Sequence, residues 1–144
     1  MRMLKIAAAL QFTAYGIPSI FYGDEIGLEG YGDPFCRMPM PWHEAESGYR
    51  SDLLEFYRKL GRIRNSEEAF NGGDFYVIRH TESAIVFVRE KGESRVIVAA
   101  NRGGDLTFTV PEGSRYLDLL SGEIYSGRIK VSPDSVLIMK EILE

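Results

Sequence analysis

The chain is poor in the residues that define several functional classes. Cys36 is its single cysteine, which excludes an internal disulfide and is read as a free, partly packed thiol rather than a reactive one. Its two histidines, His43 and His80, stand apart from any Cys, Asp or Glu cluster at ligand spacing, so neither a metal site nor any other cofactor is expected. Positive charge is in deficit: 17 Lys and Arg against 21 Asp and Glu leave a net charge of -4 and no basic footprint for nucleic acid. No apolar run approaches the length of about 20 residues that a bilayer span requires, so no membrane partner is expected. Length is limited too, since 144 residues suffice for one or two small cores but fall short of a complete β/α barrel of about 250 residues.

What is present begins with MRMLKIAAALQF, two cations followed by an apolar stretch, which imitates a secretory signal. Gln11 cuts that apolar stretch short. Leu4, Ala7, Ala8 and Phe12 recur instead at helical spacing, and Gly16 followed by Pro18 supplies a stop, so a helix over 3–12 and a cytoplasmic location are expected. No cap residue precedes this helix, as if its natural start had been cut away.

The next stretch, GIPSIFYGDEIGLEGYGDPFCRMPMPW over 16–42, is the most informative. Ile17, Ile20, Phe21 and Tyr22 form a short apolar run without polar alternation, which suits a strand buried on both faces, with Pro18 tolerated at its start. A long loop rich in carboxylates and aromatics follows. A second helix is expected over 51–64, with Leu53, Leu54, Phe56, Tyr57, Leu60 and Ile63 on an apolar stripe, Ser51 as N-cap and Asp52 at the positive end of the dipole. Arg58, Lys59, Arg62 and Arg64 are read as a solvated face. A lone parallel strand leaves its backbone groups unpaired on both edges, so the sheet that would receive 17–22 must come from elsewhere.

Beyond Phe70 the pattern changes to short strand candidates at 75–78, 84–88, 96–100, 106–110, 116–119, 124–125, 128–131 and 136–139, separated by turn chemistry such as Lys91-Gly92-Glu93-Ser94. Strands at hairpin spacing predict an antiparallel sandwich, with the boundary near Asn71-Gly72-Gly73.

The motifs GIPSIFYGDEIGLEG, GDPFCR and PMPW, then LLEFYRKLGRIRNSEEAF, AANRG and DLLSGEIY, closely resemble the C-terminal portion of the α-amylase family of glycoside hydrolases (family 13). The likeness is greatest to its cyclomaltodextrinase, neopullulanase and maltogenic amylase branch. It covers nearly the whole chain, in the right order. The resemblance implies an α+β fragment: the terminal β/α unit of a (β/α)8 barrel over residues 1–70, followed by an all-β antiparallel sandwich domain over 71–144. The active site of such a barrel lies at the C-terminal ends of its strands, so 22–42 would face an α-glucan, maltooligosaccharide or cyclodextrin.

In that branch an aspartate and an arginine four positions apart contact glucose units on the non-reducing side of the cleavage point, and here these are Asp33 and Arg37. A carboxylate and a guanidinium offer acceptors and donors that complement sugar hydroxyls. The alternative reading is a structural ion pair that braces the loop. Phe35 departs from the family, where many relatives carry a polar residue. A retaining glycosidase needs two carboxyl groups about 5–5.5 Å apart, and the family draws its catalytic carboxylates from strands four, five and seven, all before the start of this chain. No catalytic residue is therefore expected here, and the isolated chain should be inactive. Asp24 and Glu25, adjacent on a loop, point in opposite directions and suit loop organisation better than acid/base work. Trp42 and Tyr31 could stack on a pyranose ring or pack on the last helix.

Three functions remain open. The chain could be part of such a hydrolase, partnered by the missing N-terminal barrel portion and prone to self-association when alone. It could be a non-catalytic carbohydrate-binding or structural sandwich module. It could also be an autonomous enzyme using loop carboxylates.

Overall fold

A computed structural model describes residues 2–48 and 50–143. Its centre is a six-stranded antiparallel sheet in the order β1-β2-β3-β8-β5-β6. The strands are β1 (Asp74–His80), β2 (Ala84–Lys91), β3 (Ser94–Asn101), β5 (Arg115–Asp118), β6 (Ile124–Ser126) and β8 (Ser135–Ile142), while β4 (Leu106–Thr109) and β7 (Arg128–Val131) pair separately as a ribbon. All eight strands expected beyond Phe70 form.

The central strands of the sheet are covered on both faces, while β1 is exposed along its length. Alternate residues of β2 and β3 serve two cores: Phe87, Val96 and Val98 face the helices, whereas Val86, Val88, Ile97 and Ala99 face the ribbon. This double cover explains why the central strands read as continuous apolar runs. The ribbon closes the second core with Leu106, Phe108, Ile129 and Val131. Asn101, fully buried, donates its amide to the carbonyls of Gly104 and Val131 at 3.0 Å each, locking the end of β3 to the end of β7.

Helices α1 (Arg2–Thr13) and α3 (Ser51–Ser66) lie on the other face, and a short α2 (Trp42–Glu46) interrupts the loop between them. Ala8, Ala9 and Phe12 of α1 and Leu60 and Ile63 of α3 pack with Ala69, Phe70 and Ile138 into one cluster with the sheet. Phe12 and Tyr57 meet edge to face at 5.9 Å. Chain before and after Asn71 thus shares a single core. Each fully buried Leu or Phe contributes about 1.5–3 kcal/mol.

Several expectations are corrected. Among the described residues no strand forms over 17–22, and Ile17 is 94% exposed. A strand exists only where a neighbouring ladder accepts its hydrogen bonds, and no described segment pairs with this one. Ser51 is the first helical residue of α3 rather than its cap; Arg50 occupies the cap position in the left-handed conformation, φ 55°. Two cations of the α3 face are not simply solvated, because each finds carbonyls. Lys59 donates to Leu120 O at 2.6 Å, and Arg64 donates to Phe12 O at 2.9 Å, Ala14 O at 3.2 Å and Gly16 O. The last carbonyls of α1 carry the negative end of its dipole, which favours a guanidinium there. Of the helically spaced Leu4, Ala7, Ala8 and Phe12, the first two are exposed, while Ile6 and Ala9 join Ala8 and Phe12 on the buried face of α1.

Candidate functional site

The loop between α1 and α3 is built from short self-braced turns. At its start Gly23 and Gly27 take left-handed φ values of 92° and 63°, flanking a single 3-10 turn over Asp24–Ile26. Glycine at these two positions avoids the steric cost a side chain would meet; a Cβ on Gly23 would come within 2.8 Å of Leu28 Cβ. Glu25 accepts a hydrogen bond from Gly23 N at 2.9 Å, and Leu28 N reaches Gly23 O at 2.8 Å. Arg50 donates to Gly27 O and lies 3.8 Å from Glu29.

The second turn holds the predicted site. Phe35 N donates to Gly32 O at 2.9 Å and Arg37 N to Pro34 O at 3.0 Å, so the backbone folds back on itself. That reversal brings Arg37 Nε within 3.1 Å of Asp33 Oδ1, and Cys36 Sγ within 3.7 Å of the same oxygen. Arg37 and Asp33 side chains are 72% and 67% exposed, so the pair is open to solvent. A carboxylate and a guanidinium are chemically able to accept from and donate to sugar hydroxyls. An exposed pair of this type adds little to stability.

Along the same loop, Phe21, Tyr22, Tyr31, Phe35 and Trp42 are all exposed. Neither Tyr31 nor Trp42 is buried against the last helix. Such rings offer stacking faces, and Phe21 and Tyr22 already lie 4.7 Å apart centroid to centroid. Asp24 and Glu25 do not converge on a common point of chemistry, since Glu25 is engaged with its own turn. A cleft between α1, the Asp24–Ile26 turn and α3 is lined by Leu4, Ala7, Gln11, Asp24, Leu28 and Tyr57. Burial, followed by the charges of Asp24 and Glu25, pushes the Tyr57 phenol above its ordinary range.

His43 lies in α2 and His80 at the end of β1. Among the described residues no group of three or more His, Cys, Asp or Glu stands where it could hold a metal ion, and no helix is long and apolar enough to cross a membrane. Sequence reasoning missed Arg50 and the phenol of Tyr22 as loop braces. Nothing local marks an arginine ahead of Ser51 as a partner for a carbonyl 23 positions earlier; only the adjoining glycines hint that a backbone turn needs support.

In sequence the chain is 37% identical over 131 residues to neopullulanase 2 of Thermoactinomyces vulgaris, a match covering 86% of this chain and 22% of that protein. It is 36% identical over 102 residues to a cyclomaltodextrinase of Bacillus sp., covering 69% of this chain and 18% of that protein. In structure it is similar in fold to an Anoxybacillus α-amylase, with a TM-score of 0.89 at 24% identity, over 99% of this chain and 33% of the other. No protein-family model matches the sequence. The chain spans about a fifth of the length of the curated relatives it matches.

Proposed function

We propose, given that this chain belongs to the α-amylase family of glycoside hydrolases, that it is the C-terminal part of one such hydrolase acting on α-1,4-glucans, maltooligosaccharides or cyclodextrins. In this reading residues 1–70 are the last β/α unit of the barrel and 71–144 the sandwich domain. The chain supplies substrate contacts at Asp33 and Arg37 and no catalytic carboxylate.

One observation carries the reading: the unpaired apolar segment 17–22 runs directly into a self-braced loop that holds the Asp33–Arg37 pair and several aromatic rings out to solvent. A segment so apolar has no reason to be exposed unless another sheet receives it. Exposed Leu4 and Ala7 on α1 point the same way. In the bound state the Asp33 carboxylate accepts from sugar hydroxyls and the Arg37 guanidinium donates to them, fixing a glucose unit beside the reacting bond. Protonation of the leaving oxygen and attack on the anomeric carbon fall to carboxyl groups of the companion polypeptide.

The test is complementation. Mixed with a polypeptide carrying the N-terminal barrel portion, the chain should restore hydrolysis of maltotriose or cyclodextrin, while the chain alone stays inactive. Failure of the two polypeptides to bind would overturn the proposal. Maltotriose shifting NMR signals only beyond residue 71 would favour a carbohydrate-binding sandwich module instead. Alone, the chain should self-associate through 17–22, since burial is worth about 25 cal/mol per Å²; a compact monomer on sedimentation would contradict this.

A further inference from the structure

Arg89 follows the apolar run of β2 and is only 1% exposed. Its hydrogen-bond partners are backbone carbonyls from two distant segments. Nη1 donates to Thr13 O at 3.0 Å and Ala14 O at 2.8 Å; Nη2 donates to Gly73 O at 3.1 Å and Nε to Asp74 O at 3.1 Å. The guanidinium also lies 5.6 Å from the Tyr15 ring and 5.8 Å from that of Phe70. Burying a charge costs heavily unless it is compensated, and here the negative end of the α1 dipole supplies part of the compensation. Burial, then the nearby Arg64, lowers its proton affinity, while Tyr15 raises it.

Ala14 O accepts from both Arg89 and Arg64, and Arg64 also holds Gly16 O. The chain leaving α1 is therefore gripped at the carbonyls of Phe12, Thr13, Ala14 and Gly16 by guanidiniums of β2 and α3. Gln11 adds a bond to Ser19 O. Segment 17–22 has no ladder of its own, so its direction is set at this grip.

We infer that Arg89 is a positioning residue for the substrate loop, through which the β domain fixes the point and angle at which residues 17–42 depart from α1. The inference rests on the reading of that loop as substrate-facing. A lysine cannot replace the fork, since one ammonium does not reach two carbonyls on each side in a plane.

The test uses the 144-residue chain and backbone NMR relaxation. Arg89→Met should lower the order parameters of residues 14–20 from the rigid range of about 0.85 to below about 0.6, with β3 and β8 unchanged, and Arg89→Lys should fall between the two. Unchanged order at 14–20, or a loss spread evenly over the sheet, would overturn the inference. Should Arg89→Met not fold, Arg89→Lys alone decides by the same criterion. In the complemented enzyme, Arg89→Lys should raise KM for maltotriose at least fivefold with kcat changed less than twofold; an equal fall in kcat with KM unchanged would also overturn it. If the wild-type assembly hydrolyses nothing, the proposed function fails, while the relaxation result still settles whether Arg89 positions the segment.

Discussion

Tyr22 Oη donates to the carbonyl of Met38 at 2.8 Å, closing a loop across 16 positions. The bond joins the end of the apolar segment to the chain just after the Asp33–Arg37 pair. Removing it with Tyr22→Phe should cost about 1 kcal/mol locally. Chymotryptic cleavage at Tyr31 and Phe35 should then accelerate about fivefold, with the thermal midpoint of the sheet unchanged; equal cleavage rates would show the bond to be idle.

The Asp33–Arg37 pair separates stability from binding. With both side chains about two-thirds exposed or more, Asp33→Ala and Arg37→Ala should each change unfolding free energy by less than about 1 kcal/mol. In the complemented enzyme each should weaken maltotriose binding by tenfold or more, because a charged partner of the sugar is lost. Large destabilisation with unaltered affinity would identify the pair as a brace only.

Phe70 is fully buried between the helices and the sheet. Phe70→Ala should therefore cost about 3–5 kcal/mol. Because one cluster spans both sides of Asn71, helix and sheet signals should melt together in a single transition; two separated transitions would refute the shared core.

Gly73 carries a different constraint. A Cβ there would meet Ala69 O at 2.4 Å and Glu90 O at 2.6 Å, both backbone atoms. Gly73→Ala should destabilise by about 1–3 kcal/mol, measured by denaturant midpoint, whereas Gly72→Ala meets no atom within 4 Å but holds φ 76° and suffers only backbone strain.

The Tyr125 phenol is pushed up to about 12, first by its 2.7 Å hydrogen bond to Glu123 and then by burial. Its protonated form is the one favoured by folding, so this contribution is complete below the unfolded value of about 10 and is lost as pH rises toward about 12. Tyrosinate absorbance should show the latest-titrating phenol moving toward 10 in Glu123→Gln; an unmoved titration would remove Glu123 as the cause.

Much of this architecture was legible in the residues. Runs such as Val96 to Ala100 and the stripe from Leu53 to Ile63 lie where β3 and α3 form. The grouping of strands was not legible, since Leu106-Thr107-Phe108-Thr109 carries the same alternation whether it joins the main sheet or the separate ribbon. Nor was the role of Arg64 or Arg89, because a cation on a helix or strand shows its partners only when distant carbonyls arrive. The Asp33–Arg37 spacing was plain, while their 3.1 Å contact depended on the reversal at Gly32 to Arg37.

By itself the sequence determined where α1, α3 and the eight strands beyond Phe70 form, and the ordered motifs that tie the chain to its family, because periodicity, turn residues and local spacing are properties of neighbouring positions. Only the tertiary structure decided that β8 enters between β3 and β5, that the helices and the sheet share a core, and that 17–22 stays unpaired. Those outcomes depend on hydrogen-bond ladders and buried contacts between residues far apart in the chain, which no local pattern encodes.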